Sequence, residues 1–329
     1  MSTPKISLRN VTKTFRLRPG KGSKGGEGVR LTALQDVSLD VAAGEFLTLV
    51  GPSGSGKTTL LDILAGLASP DSGEVLLDGR PVTGPGPDRA VVFQQYALFP
   101  WRTAAENVAF GLEDRQLDGK SLNRKERRAR ALEYLSLVGL EGFEDRYPHE
   151  LSGGMRQRVA IARSLAYEPD VLLMDEPFAA LDAQTREQLQ DELVRLWQRT
   201  GKTIIFITHG IEEAVYLGQR VAVLSSRPGR VKTIVDIDLG DRDAEGDLRS
   251  SPAFVRQRHL LWELLHDEVR RAQASGHAKI LPDGSAPDEV PAGVPAGAGA
   301  VPAGASSGTG TVPAGASSGA GAARERSAA

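Results

Sequence analysis

Eight consecutive residues, Gly51-Pro52-Ser53-Gly54-Ser55-Gly56-Lys57-Thr58, have the types and spacing of a phosphate-gripping loop. The pattern G-x-x-x-x-G-K-[ST] is met in full. Gly51, Gly54 and Gly56 let the backbone turn tightly and aim its N–H groups inward at phosphate oxygens. Lys57 supplies a point charge for the β- and γ-phosphates, and the Thr58 hydroxyl is suited to ligate Mg²⁺. A second group, Asp175-Glu176, ends the apolar run Val171-Leu172-Leu173-Met174. A carboxylate at the end of a buried strand is expected to hold Mg²⁺ through water, the role assigned to Asp175. Glu176, next along, is expected to polarise an attacking water.

Those residues need a scaffold. Phe46–Val50 reads as a buried strand running into the loop, and the segment beginning Thr58-Thr59-Leu60-Leu61 reads as a helix leaving it, which places Thr59 among the candidate nucleotide contacts. Such a helix would point its positive end at the phosphates. Val171–Met174 and Thr203–Ile207 read as further buried strands of a largely parallel sheet, with helices over 58–67, 153–166 and 184–199. Ile6–Phe15, Leu34–Val41 and Val75–Val82 alternate more clearly and are broken by turns such as Asp78-Gly79, which predicts an antiparallel layer. Pro19–Arg30, rich in Gly, Lys and Ser, reads as a surface loop. The expected fold class is therefore α/β.

Residues 251–273 carry Phe254, Leu261, Leu264, Leu265 and Val269 at helical spacing and read as one amphipathic helix on the domain's flank. Residues 281–329 repeat Val-Pro-Ala-Gly from Val290, Val301 and Val312 but have almost no large apolar side chains. They are expected to be a disordered Ala/Gly/Pro/Ser-rich tail.

The totals exclude several classes. Forty basic against 42 acidic residues give a net charge of −2 and no general pull toward nucleic acid. Lys125, Arg127, Arg128 and Arg130, before Ala131–Leu140, then read as a solvated helix face, and no nucleic-acid partner is expected. With no cysteine, disulfides and thiolate metal sites are excluded, which fits a reducing compartment. No run of 18 apolar residues occurs, and the start lacks a signal-peptide core. The expectation is a soluble chain that docks on a membrane protein.

One further motif narrows the reading. Leu151-Ser152-Gly153-Gly154-Met155-Arg156-Gln157-Arg158 resembles the signature of ATP-binding cassette (ABC) proteins, with Met155 where glutamine is commoner. Ser152 is a good N-cap, so the helix that follows offers a second phosphate-binding terminus. The resemblance implies a P-loop NTPase cassette with a RecA-like parallel-sheet core, an antiparallel β layer and a helical subdomain at about 96–168. It implies ATP and Mg²⁺ as ligands. It also implies head-to-tail pairing with a second cassette, most simply a homodimer, in which Ser152, Gly153 and Gly154 cover the ATP held by the other P-loop. Further matches fall in family order over Phe15 to His209. Phe15 stands where the family stacks adenine, and Gln94 where a glutamine contacts Mg²⁺ and senses a transmembrane partner. Asp182, in Ala180-Leu181-Asp182, stands in the loop that communicates between cassettes. His209 stands where a histidine contacts the γ-phosphate. The cassette would occupy 1–240, a C-terminal helical extension 241–280, and the tail 281–329.

Leu98-Phe99-Pro100-Trp101, Glu106-Asn107-Val108, LSGGMRQR and Ser225-Ser226-Arg227-Pro228-Gly229-Arg230 resemble the subfamily that energises import of nitrate, sulfonates and taurine. That implies transmembrane permease subunits as partners, an extracytoplasmic solute-binding protein as an indirect one, and peripheral attachment to the cytoplasmic face of the cell membrane. Trp101 reads equally as core packing or as permease surface. A cassette for a different ABC transporter substrate is one alternative, and soluble ABC ATPases of DNA repair or translation are the other. The latter usually carry tandem cassettes or long coiled coils, whereas here there is one P-loop, and its Lys57 stands 118 positions before Asp175 with no sustained heptads between. A P-loop kinase would leave LSGGM unexplained.

Overall fold

The computed structural model describes residues 3–17, 29–113, 116–117, 120–240 and 248–274, all within the compact unit Met1–Ala286. The expected loop at 19–30 lies outside the described residues except Val29 and Arg30, which begin a strand, and the expected tail at 281–329 lies wholly outside them. The strands are β1 (Ile6–Leu17), β2 (Val29–Val41), β3 (Phe46–Val50), β4 (Ser72–Leu77), β5 (Arg80–Pro81), β6 (Arg89–Val92), β7 (Gln116–Leu117), β8 (Lys120–Ser121), β9 (Val171–Asp175), β10 (Thr203–Ile207), β11 (Arg220–Leu224) and β12 (Val231–Asp236). The helices are α1 (Lys57–Ala65), α2 (Ala104–Phe110), α3 (Arg124–Leu137), α4 (Gly153–Ala166), α5 (Ala183–Thr200), α6 (Ile211–Leu217) and α7 (Pro252–Ala274).

Six strands form the central sheet in the order β12-β11-β3-β10-β9-β6, parallel except for β12, which pairs antiparallel with β11. A second, antiparallel sheet has the order β2-β1-β4-β5. The parallel strands are mostly apolar, with polar residues chiefly at their ends, because both faces of their sheet are covered; the buried Thr48 of β3 directs its hydroxyl to the Ala214 carbonyl (3.3 Å). Alternate residues go to opposite faces. Leu172, Met174, Ile204 and Phe206 join one core with residues of α2 to α5, while Val171, Leu173, Ile205 and Ile207 join another with α1 and the antiparallel sheet. Each side chain so buried stabilises the fold by about 1.5–3 kcal/mol before entropy is counted. A third core, around Val50, Val221 and Val223, takes in Phe254, Leu261 and Leu265 of α7.

Local chemistry sets the helix ends. Thr103 and Asn123 form capping boxes with Glu106 and Glu126. Ser152 and Asp182 cap α4 and α5, accepting from the amides of Met155 (3.2 Å) and Thr185 (2.9 Å). Helix α1 stops at Ala65 rather than at Leu67. Gly66 turns left-handed there (φ 76°), and a Cβ on it would lie 2.2 Å from the Gly84 oxygen. Helix α7 turns a slightly different face to the core than the apolar spacing suggests. Val269 is exposed, and Glu268 is buried in its place.

Candidate active site

The sheet order brings the chemistry together. In parallel sheets ligands bind beyond the carboxyl ends of the strands. Here β3 runs into the P-loop, its neighbour β10 into Thr208-His209, β9 into Asp175-Glu176 and β6 toward Gln94. Val92, the last residue of β6 and two before Gln94, pairs with Met174, the residue before Asp175.

Within the P-loop the Lys57 side chain folds back, donating from Nζ to the carbonyl oxygens of Gly51 (2.9 Å) and Pro52 (3.1 Å). Burial lowers the pKa of its ammonium, against an upward pull from the charges of Glu176 and Asp175. Gly56, at φ 86°, caps α1 where a side chain would strike Leu34 and Ala33. Gly51 is confined differently: a Cβ on it would meet the Ser55 hydroxyl at 2.8 Å. Burial raises the pKa of Asp175, the Thr58 hydroxyl hydrogen-bonded to it lowers it, and the charges of Glu176 and Asp62 raise it further. A hydroxyl and a carboxylate side by side are hard oxygen donors of the kind Mg²⁺ takes. Among the described residues no group of three or more His, Cys, Asp or Glu could hold a metal ion.

Glu176 sits in the left-handed region (φ 43°), a conformation that costs a non-glycine residue about 1 kcal/mol or more. Its amide donates to the Ile207 carbonyl (3.0 Å), which ties the end of β9 to the end of β10. Its carboxylate stands 3.2 Å from His209 Nδ1. Behind them Glu213, largely buried, accepts from the Thr208 hydroxyl and from Gln190 (2.9 Å). Burial raises the pKa of this carboxyl, against those two hydrogen bonds. The Thr208 hydroxyl in turn accepts from the Gly210 amide (2.9 Å), so the turn presenting His209 is fixed from below. Glu213 was not among the residues singled out from sequence. Its place one turn into the helix after a carboxyl-end histidine was the available signal.

Other expected residues stand apart from this cluster. Phe15, on β1, is exposed, with the Lys13 amino group 5.8 Å from its ring centroid. Side chains added at Gly153 and Gly154 would meet Leu181, Tyr96, Thr185 and Leu189, with no P-loop atom among the neighbours. The start of α4 therefore packs on the start of α5, beside Asp182. Trp101 is 70% exposed and touches Phe99 (5.6 Å between ring centroids), so it is surface rather than core. Beside α2 lies a groove of about 290 Å³, lined by Arg102, Glu106, Glu113, Arg124, Arg127 and Arg128. Arg128 and Arg130 of the basic run pair with Asp145 and Glu168. A larger groove, about 800 Å³, runs from Glu176 and His209 along α5 and α6 to Trp262 of α7.

Residues 34–179 match the family model of the ABC transporter. An uncharacterised ABC transporter ATP-binding protein of Methanocaldococcus jannaschii is 53% identical over 268 residues, 82% of this chain and 94% of that protein. The chain belongs to the ABC transporter ATP-binding family. Cassettes of this family are ATPases coupled to transport, and they bind ATP. A taurine import ATP-binding protein of Rhizobium johnstonii is 51% identical over 251 residues, 74% of this chain and 94% of its own length. Among solved structures, a dimeric ATP-binding cassette in a post-hydrolysis state, bound to ADP and Pi, superposes with a TM-score of 0.61 at 38% identity, covering 71% of this chain and 99% of its own. The matched part of this ABC cassette spans the P-loop, α4 and Asp175-Glu176, and stops before His209 and α7.

Proposed function

We propose that this ABC cassette is the ATP-hydrolysing subunit of an importer for small anions of the sulfonate, taurine or nitrate class, acting at the cytoplasmic face of the cell membrane. The observation that carries the hydrolytic part is the meeting of Lys57, Asp175, Glu176 and His209 at one sheet edge. The taurine-import relatives support the transport class.

ATP lies with its phosphates over α1. Amides of Gly54 to Thr59 and the helix terminus bind the β- and γ-phosphates, with Pro52 and Ser53 shaping the mouth of the loop. Lys57 releases the carbonyls of Gly51 and Pro52 and turns to the phosphates. Phe15 stacks the adenine. Thr58, Asp175 through water and Gln94 would hold Mg²⁺, which when bound withdraws charge from the phosphate oxygens. Glu176 accepts a proton from water as the water oxygen bonds to the γ-phosphorus. The bond from that phosphorus to the bridging oxygen breaks, leaving ADP and phosphate. His209, held against Glu176 by its fixed turn, contacts the γ-phosphate and keeps the carboxylate aimed.

By the family resemblance, Ser152, Gly153 and Gly154 of a second copy complete each site, with Asp182 at the seam, a reading supported by the dimeric state of a related solved cassette. Closure pulls on permease subunits through Trp101 and the groove beside α2, while a solute-binding protein outside delivers the anion. Glu176→Gln is expected to bind MgATP, to form a dimer by light scattering and to lose at least about 100-fold in kcat. Undiminished turnover in that variant would sink the assignment. Uptake by a deletion strain, measured across sulfonates, taurine and nitrate, tests the cargo class.

A further inference from the structure

Five parallel strands end at the nucleotide edge, and β11 alone among them has no assigned residue beyond its carboxyl end. It leads into Ser225–Arg230, on the side of the P-loop opposite β10. This turn presses on the loop. A Cβ on Gly229 would lie 2.0 Å from the Ser55 carbonyl oxygen. The Gly229 amide donates to Ala33 (2.8 Å), and its carbonyl accepts from the Gln35 amide (2.9 Å). Arg227 Nε donates to the Gly54 carbonyl oxygen (3.3 Å), and one of its terminal nitrogens would stand 2.9 Å from a Cβ on Gly54. Among the described residues no carboxylate pairs with this guanidinium.

The other side of the turn is anchored. The Glu268 carboxylate of α7, 3% exposed, accepts from the Ser226 amide (2.9 Å), from Lys232 Nζ (3.1 Å) and from Arg271 (2.9 Å). A buried carboxylate with a backbone amide and two cations around it is a rigid post. The chain of contacts therefore runs from the core-facing side of α7, through Ser226 and Arg227, to the middle of the P-loop.

Its chemical effect follows from peptide geometry. The carbonyl of Gly54 and the amide of Ser55 belong to one planar unit and point opposite ways. A cation holding the carbonyl on the outside aims that amide inward. The amide now makes a long bond to the Pro52 oxygen (3.2 Å), which a phosphate oxygen can replace. With no carboxylate paired to it among the described residues, the guanidinium also adds positive charge beside a loop that receives a polyanion.

We propose that Arg227 is a positioning residue for nucleotide, bracing the P-loop from behind, and that Glu268 holds that brace, so that α7 is a working part of the nucleotide site. The proposal rests on the ATPase reading. It is tested on the full chain with Arg227→Ala, Arg227→Gln, Arg227→Lys and Glu268→Gln, measuring kcat, KM for ATP, the Kd of a fluorescent ATP analogue and thermal melting. Arg227→Ala and Arg227→Gln should raise KM and Kd about tenfold, as loss of a charged hydrogen bond does, with kcat within about twofold. Arg227→Lys, which keeps the charge without the fork, should recover part of the affinity. Glu268→Gln should raise KM about threefold in the same sense. KM and Kd within twofold of the parent in both Arg227→Ala and Arg227→Gln would overturn the proposal, as would a fall in kcat at unchanged KM. Lysine behaving no better than alanine would overturn the charge part. If Arg227→Ala does not fold, the glutamine and lysine variants decide the matter by the same numbers. A parent chain that neither binds nor hydrolyses ATP would instead refute the ATPase reading.

Discussion

Lys57 holds its own loop. Its ammonium is solvated by two carbonyls, so taking up a triphosphate exchanges one set of partners for another and does not require assembling a charge from water. Lys57→Ala removes both the cation and that internal support. It is expected to weaken MgATP binding beyond detection by calorimetry, and affinity within a few-fold of the parent would contradict the role. Asp175 is the converse case, a carboxylate that the fold disfavours. Its pKa lies above 3.8, first because it is buried, and the neighbouring charges of Glu176 and Asp62 add to this. The folded chain thus binds that proton more tightly than the unfolded chain. The contribution to stability is greatest in acid and falls as pH rises from 3.8 through the raised value. Asp175→Asn should therefore melt a few degrees higher than the parent near pH 7, on the order of 2 °C, and the gain should shrink toward pH 4. Its ATPase activity should be lost at every pH. A variant that melts lower at pH 7 would show that the hydrogen bond to Thr58 outweighs the burial cost.

At the scale of elements, period and punctuation in the sequence were informative where both faces of a strand are buried. Phe46–Val50, Val171–Met174 and Thr203–Ile207 could be read as strands because they are short, mostly apolar runs without a charged residue, and their polar successors then had to lie at one edge. The 153–166 helix was legible from its serine cap. The approach of Ser225–Arg230 to the P-loop was not, because it depends on β11 lying next to β3, and strand order leaves no mark on local composition. The burial of Glu268 was hidden for a similar reason. A carboxylate on an amphipathic helix reads as solvated until the cations from Lys232 and Arg271 are placed around it. Gly66 shows how tightly one element stops another. Gly66→Ala puts a Cβ against the Gly84 carbonyl at a left-handed residue and should cost about 2 kcal/mol or more, seen as a lower midpoint in urea. An unchanged midpoint would mean the 84–85 turn moves freely.

For the molecule as a whole, the two C-terminal segments should behave oppositely. Deleting 282–329 is expected to leave melting and ATPase activity nearly unchanged, because that segment has almost no large apolar side chains with which to add to a core. Truncation after Ser250 removes Phe254, Leu261 and Leu265 from the third core and Glu268 from the turn behind the P-loop. It should lower the melting temperature and raise KM for ATP. If the shorter chain keeps the parent's KM, α7 only covers the flank. Pairing of cassettes could not be read from the residues of one chain; it comes with the family resemblance, and the dimeric form of a related solved cassette agrees with it. Glu176 has a consequence for anyone breeding a sturdier version of this protein. Its φ of 43° suits glycine or asparagine better than glutamate. A library screened for heat resistance alone would therefore enrich those residues at 176 and asparagine at 175, and its winners would be well-folded chains that no longer turn ATP over.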